Sequence, residues 1–189
     1  TRDWKSIFKN IYDSIYGKRI AREATFLFAQ TDHEIEAYKQ YIGSANNITL
    51  FPLALDMKPF IKLPTKNSFR NKLNISPQEK VVLFVGRFNP HKGINTLLES
   101  IAILHKTIPR IKLVLIGRDD GYLSEIHNIV ATLHLEKTVC FSPPIFNNDV
   151  IAAYCAADVF VITPSHSEET SLASLAALAC SCPVIVNEN

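Results

Sequence analysis

The chain has 189 residues, 47% of them hydrophobic and 20% charged, which is enough apolar material to bury a core and excludes a disordered tail. Its 20 basic and 18 acidic residues nearly cancel, so nothing global argues for binding nucleic acid or coating an anionic membrane, and any anion site has to be local. No apolar run reaches the ~20 residues that span a bilayer, no secretory pattern opens the chain, and the four cysteines lack metal-ligand or redox spacing and read as reduced core thiols, so the expected address is cytoplasmic.

Residues 1–60 read as the tail of one domain followed by a linker. Trp4, Phe8, Ile11, Tyr12 and Ile15 recur at helical spacing. Ala24 to Phe28 reads as a buried strand, and Asp32 to Tyr41 as a helix with Thr31 as N-cap and Glu34 at the capping-box position. That makes one β/α unit without a sheet of its own. Pro52, Pro59 and Pro64 mark Phe51 to Asn67 as a connecting stretch.

Residues 61–189 read as a second domain. From Gln78, β-rich runs alternate with segments of helical period, the pattern of an α/β parallel sheet with crossover helices. The predicted strands are Val81 to Val85, Ile111 to Ile116, Thr138 to Phe141, Asp158 to Ile162 and Pro183 to Val186. Between them lie helices carried by Ile94, Leu97, Leu98, Ile101 and Leu104, then Tyr122 to Leu135, Val150 to Ala157, and an Ala-rich segment from Thr170 to Cys180. On that last helix Leu172, Leu175, Ala176 and Ala179 are expected to share one packed face. Five strands with four crossovers predict a Rossmann-like sheet. The chain opens in helical sequence and stops just after a strand, so both domains read as incomplete.

The most informative segment runs from Val81 to Gly93. A strand ends in Gly86, where the missing Cβ permits a sharp turn and close approach of a ligand to the backbone. Arg87 and Lys92 flank the Asn89-Pro90 turn at the carboxyl edge of the sheet, just before a helix. Guanidinium fork, mobile ammonium and helix N-terminus together suit a diphosphate. His91 lies in the same loop. Asp119-Asp120 before Gly121 reads as a turn.

The Gly86-Arg87 and Lys92-Gly93 pairs resemble the signature of the large retaining glycosyltransferase family four, of GT-B fold. The likeness extends in order from about Ala24 to the end. Phe51-Pro-Leu-Ala-Leu-Asp56 is similar to the family's passage between domains, Tyr154-Cys-Ala-Ala-Asp158 to its Tyr-x-x-Ala-Asp strand entry, and Pro164-Ser-His-Ser-Glu168 with Leu172 to Val186 to its Pro-Ser-x-x-Glu block, helix and final strand. The resemblance implies a C-terminal domain that binds a nucleotide diphosphate sugar and transfers the sugar, with retention, to a glycan or lipid-linked acceptor. It implies donor diphosphate binding by Gly86, Arg87 and Lys92, a catalytic role for Glu168, and donor contacts from His166, Thr170, Ser171, Leu172 and Ile145. Acceptor contacts, and peripheral association with the inner face of a membrane, would belong to the first domain. No cofactor is implied, and with no Asp-x-Asp triplet no metal is expected.

The sequence also departs from the family's pattern. The second Glu, which grips the donor ribose, is replaced by Ala176, and Glu169-Thr-Ser171 stands where Gly-Phe-Gly is usual. Cys182, Ser142-Pro-Pro144 and Leu53-Ala54 likewise lack the customary Gly or Asn-Gly. These changes keep two alternatives open: a GT-B-like binding or scaffold protein without catalysis, and another sugar-nucleotide enzyme of the same fold.

Overall fold

The computed structural model describes residues 4–43, 47–165 and 171–187, which fall into two compact units that divide between Ala54 and Leu55. The sequence reading sets that divide at residue 60; Phe60 packs against the core of the second unit.

In the first unit α1 (Trp4–Tyr12) continues through a π turn (Asp13–Gly17) into α2 (Lys18–Glu23), followed by β1 (Leu27–Ala29), α3 (Asp32–Ile42) and β2 (Ile48–Leu50). Thr31 Oγ1 accepts the Glu34 N–H at 3.1 Å, as the capping residue should, while the Glu34 carboxylate accepts the N–H of Gln30 at 2.6 Å. Gly43, with φ of 73°, ends the helix in the left-handed conformation that glycine adopts without strain. β2 pairs in parallel with β1, Leu27 opposite Ile48. This corrects the expectation of a unit without a sheet: β2 has only three residues, none buried, so it carries no alternating pattern to read. β1 is also less buried than expected, with only Ala29 inside and Phe28 exposed.

The second unit begins with a short 3-10 turn (Lys58–Phe60) and α4 (Lys66–Lys72). It continues through β3 (Lys80–Val85), α5 (Ile94–His105), β4 (Ile111–Ile116), α6 (Leu123–Thr132), β5 (Val139–Ser142), α7 (Asn148–Ala156), β6 (Val159–Ile162), α8 (Leu172–Ala179) and β7 (Val184–Val186). The five strands are parallel in the order β5-β4-β3-β6-β7. The sheet thus grows from β3 to one side, and the chain then returns through α7 to lay β6 on the other side. Both faces are covered, which is why these strands read as unbroken apolar runs. Val81, Leu83, Val114, Ile116 and Phe160 build one core with residues of α4, α7 and α8. Val82, Phe84, Leu113, Leu115 and Val139 build the other with residues of α5 and α6.

On α8 the packed face is rotated from the expected one. Ala177 and Cys180 are buried and Ala173 and Ala176 pack against the same core, whereas Leu172 is exposed. All four cysteines are free, with Cys180 and Cys182 buried, and burial pushes the Cys180 thiol up to about 12. No helix among the described residues is long and apolar enough to cross a membrane.

The amino edge of the sheet is closed by a charged group with no counterpart in the expected core. Arg70, from α4, is only 2% exposed and donates to the carbonyls of Ala156 (2.9 Å), Ser76 (3.2 Å) and Glu79 (2.8 Å), and to Asp158 Oδ2 at 2.7 Å. Asp158 also receives the Val81 N–H and the Lys66 ammonium, each at 2.8 Å. Burial raises the Asp158 pKa, but Lys66, the Val81 N–H and Arg70 outweigh it and hold the carboxyl below its ordinary value.

Candidate active site

The carboxyl edge of β3 and β6 is the point where the sheet's direction of growth reverses, and open α/β sheets bind ligands in the crevice outside such a point. The loop after β3 holds Gly86, Arg87 and Lys92. Its geometry follows from two glycines. Gly93 has φ of 62°, and a Cβ there would overlap the carbonyl oxygen of Thr163, just past the end of β6. A Cβ on Gly117, just past β4, would overlap the carbonyl oxygen of Gly86. Absence of side chains at these two positions lets the loops after β4, β3 and β6, neighbours in the sheet, touch backbone to backbone.

Hydrogen bonds then fix the loops. Thr163 Oγ1 donates to the Gly93 carbonyl at 2.8 Å, and the Ser165 N–H to the His91 carbonyl at 2.9 Å. Asn187, past β7, donates to the Pro164 carbonyl at 2.8 Å. On the other side the Phe88 N–H donates to the Arg118 carbonyl at 2.8 Å and the Asp120 N–H to the Phe88 carbonyl at 3.1 Å, extending the β3–β4 pairing into the loops. Asn89 Oδ1 accepts the His91 N–H at 3.1 Å, so the expected turn becomes a single 3-10 turn, Pro90–Lys92, that places Lys92 directly before Gly93.

Arg87 projects from this frame with its side chain 62% exposed, and its Nη1 donates to Asp120 Oδ2 at 3.0 Å. The other oxygen of Asp120 receives Nε and Nη2 of Arg118 at 3.1 and 2.9 Å. The neighbouring acid does different work. Asp119 Oδ1 accepts the N–H groups of Leu123 (3.0 Å), Tyr122 (2.8 Å) and Gly121 (2.8 Å), which start α6 and hold this carboxyl below its ordinary value. The turn reading therefore fits Asp119, while Asp120 is an ion-pair partner 33 positions from Arg87 that no local pattern could disclose.

Ser171 caps α8, its side chain accepting the Ser174 N–H at 3.3 Å. Leu172 stands exposed in the first turn, and Ile145, past the end of β5, is partly buried against the core beneath α7 and α8. His166, Glu168 and Thr170 lie outside the described residues. Ser174 Oγ, which the sequence reading passed over, is buried with no hydrogen-bond partner among the described residues. No group of His, Cys, Asp and Glu among the described residues could hold a metal ion.

Loops fixed at the sheet's reversal point, with an outward arginine among them, form the kind of edge at which open α/β sheets take ligands, and comparison with known proteins gives the family. Residues 65–189 match the family model of group 1 glycosyl transferases, and the chain belongs to that family. It is 30% identical over 177 residues to the D-inositol 3-phosphate glycosyltransferase of Kineococcus radiotolerans, covering 89% of this chain and 40% of that protein. Among solved structures it resembles sucrose-phosphate synthase from Thermosynechococcus elongatus, with a TM-score of 0.74 and 31% identity over 90% of this chain and 42% of that one. It also shares its fold with Anabaena Alr3699/HepE, solved with UDP-glucose, at a TM-score of 0.77 and 24% identity, covering 88% and 46% of the two chains. The chain thus spans less than half the length of these relatives.

Proposed function

We propose that this chain carries the donor-binding half of a glycosyltransferase that moves a sugar from a nucleotide diphosphate sugar to a hydroxyl of a glycan or lipid-linked acceptor, with retention at the anomeric carbon. The observation that carries the reading is the outward guanidinium of Arg87 on a loop locked at the sheet's reversal point, in a member of the group 1 family. The Gly86 turn and the Arg87 and Lys92 side chains would receive the diphosphate, and their fixed charge would stabilise it as it leaves. Glu168 is proposed to lie at the transferred sugar, and Ser171, Leu172 and Ile145 to border it along with His166 and Thr170. These cations would do what a metal does in other transferases, so turnover should survive chelation.

Titration of the chain with UDP-, GDP- and ADP-glucose by calorimetry tests the reading. One donor should bind, and Arg87→Ala or Lys92→Ala should each weaken it by about 1.5–3 kcal/mol, the range of charge-assisted hydrogen bonds. If none of the donors binds, the reading fails. A second reading, a nucleotide-binding protein without transfer, is favoured by Ala176, which faces the core and offers no hydrogen bond to a ribose. Donor binding without any transfer or donor hydrolysis by the full-length protein would select it.

A further inference from the structure

The Arg87–Asp120–Arg118 group has a feature that a surface ion pair does not need. The Asp120 side chain is the more buried member, 18% exposed, while the Arg87 and Arg118 side chains on either side of it are 62% and 69% exposed. Its backbone is pinned as well: the Asp120 N–H is bonded to the Phe88 carbonyl, and the ring of Phe88 is buried. Each arginine spends only part of its donor set on the acid, one N–H from Arg87 and two from Arg118, and both side chains are mostly exposed. Two flexible side chains from different loops are thereby gathered at one anchored anion beside Gly86. The group keeps a net charge of +1, since two guanidinium cations face one carboxylate.

We infer that Asp120 is a positioning residue that holds Arg87 and Arg118 as a paired clamp, and that Arg118 is a second cation for the diphosphate of the donor. The inference rests on the function proposed above. An unheld arginine must lose most of its rotamer freedom when it binds a phosphate, and a side chain already oriented loses less. Asp120 therefore has opposing effects on an incoming diphosphate. Its negative charge repels the ligand, while its hydrogen bonds preorganise two forks that each reach oxygen bidentately. The geometry favours preorganisation, because the charge of the acid is already compensated by an ion pair to each arginine.

The test measures binding of UDP, GDP and ADP, and of the monophosphate of whichever binds best, to the chain and its variants. Melting temperatures confirm that each variant is folded. Arg118→Ala and Asp120→Ala should each weaken the diphosphate about tenfold and the monophosphate much less, so that the preference for diphosphate shrinks. Asp120→Glu should recover part of the loss. In an Arg87→Ala, Arg118→Ala background, Asp120→Ala should no longer weaken binding, since with both arginines gone only the repulsion by the acid is left to remove. Tighter diphosphate binding by Asp120→Ala would show that the acid merely repels, and an unchanged diphosphate preference in Arg118→Ala would remove the second cation; either overturns the clamp. If no diphosphate binds the unaltered chain, both this inference and the proposed function fall. If Arg87→Ala abolishes binding while the Arg118 and Asp120 variants bind as before, only the clamp falls.

Discussion

Two arginine–aspartate groups sit at opposite edges of one sheet, and their difference separates scaffold from site. At the amino edge Arg70 is enclosed, and its four hydrogen bonds end on three carbonyls and the Asp158 carboxylate. At the carboxyl edge the acid is about as buried, Asp120 at 18% exposure against 24% for Asp158, but the arginines are open. Identical chemistry therefore has opposite uses. A guanidinium satisfied on most of its donors by the protein itself has little left for a ligand, whereas one satisfied on a single N–H is held in place with most of its capacity unused. The presence of an arginine–aspartate pair does not distinguish the two groups; the exposure of the arginine and the number of its donors already spent do.

The largest expected effect comes from breaking the inner group. Arg70→Ala removes a cation that ties α4 to the start of β3 and β6, strands a partly buried carboxylate, and leaves the Ala156, Ser76 and Glu79 carbonyls without these donors. A loss of about 3–5 kcal/mol is expected in urea unfolding, the range for removing one member of a buried pair. A loss below about 1 kcal/mol would mean that the enclosed arginine is not a structural tie and would undo the contrast.

Neither group was legible in the sequence, although the sheet was. Strands β3 and β4 announce themselves because burial on both faces demands an uninterrupted run such as Val81 to Val85. Helix α4 does not, because its seven residues include a single large apolar side chain, Phe69, and it is the fold that makes Arg70 a core residue. Asp158 reads in the sequence as part of a family strand entry, and nothing local points to Arg70, 88 positions away. The Gly86 to Gly93 loop was legible for a different reason: glycine and proline constrain the backbone locally, so their spacing shows a turn before any contact is known. Arg118 follows Gly117 at the end of β4 as Arg87 follows Gly86 at the end of β3, but its loop has no Asn-Pro turn and no second cation before a glycine to mark it. The rotated face of α8 has a similar cause: in a helix this rich in alanine, apolar residues surround the axis and periodicity cannot choose among them.

A smaller effect sharpens the comparison through pH. The native Asp158 carboxyl is held below its ordinary value, so its contribution to stability is complete above the unfolded carboxyl's titration range and is lost as pH falls through the lowered native value. Asp158→Asn removes that contribution at every pH. The stability gap between the two proteins, measured by urea unfolding, should be widest near neutrality and should narrow below about pH 4. A gap that stays constant down to pH 3 would mean the carboxylate charge is not what Arg70 and Lys66 recognise.

The smallest effect is the most telling, because it should be nearly absent. Arg87→Ala and Arg118→Ala each remove a guanidinium bonded to Asp120, in the same residue pairing as Arg70 with Asp158. Yet both arginines are mostly in solvent, where the ion pair competes with water and salt and holding the side chain has an entropic cost, so each change should shift unfolding by less than about 1 kcal/mol. Asp120 remains solvated enough, and paired enough with the surviving arginine, to tolerate either loss singly. If either change destabilised the chain as much as Arg70→Ala does, the outward group would be a structural tie as well, and its exposed donors would no longer argue for a ligand. Near-zero stability loss with weakened nucleotide binding is the pair of results that a site, and not a scaffold, produces.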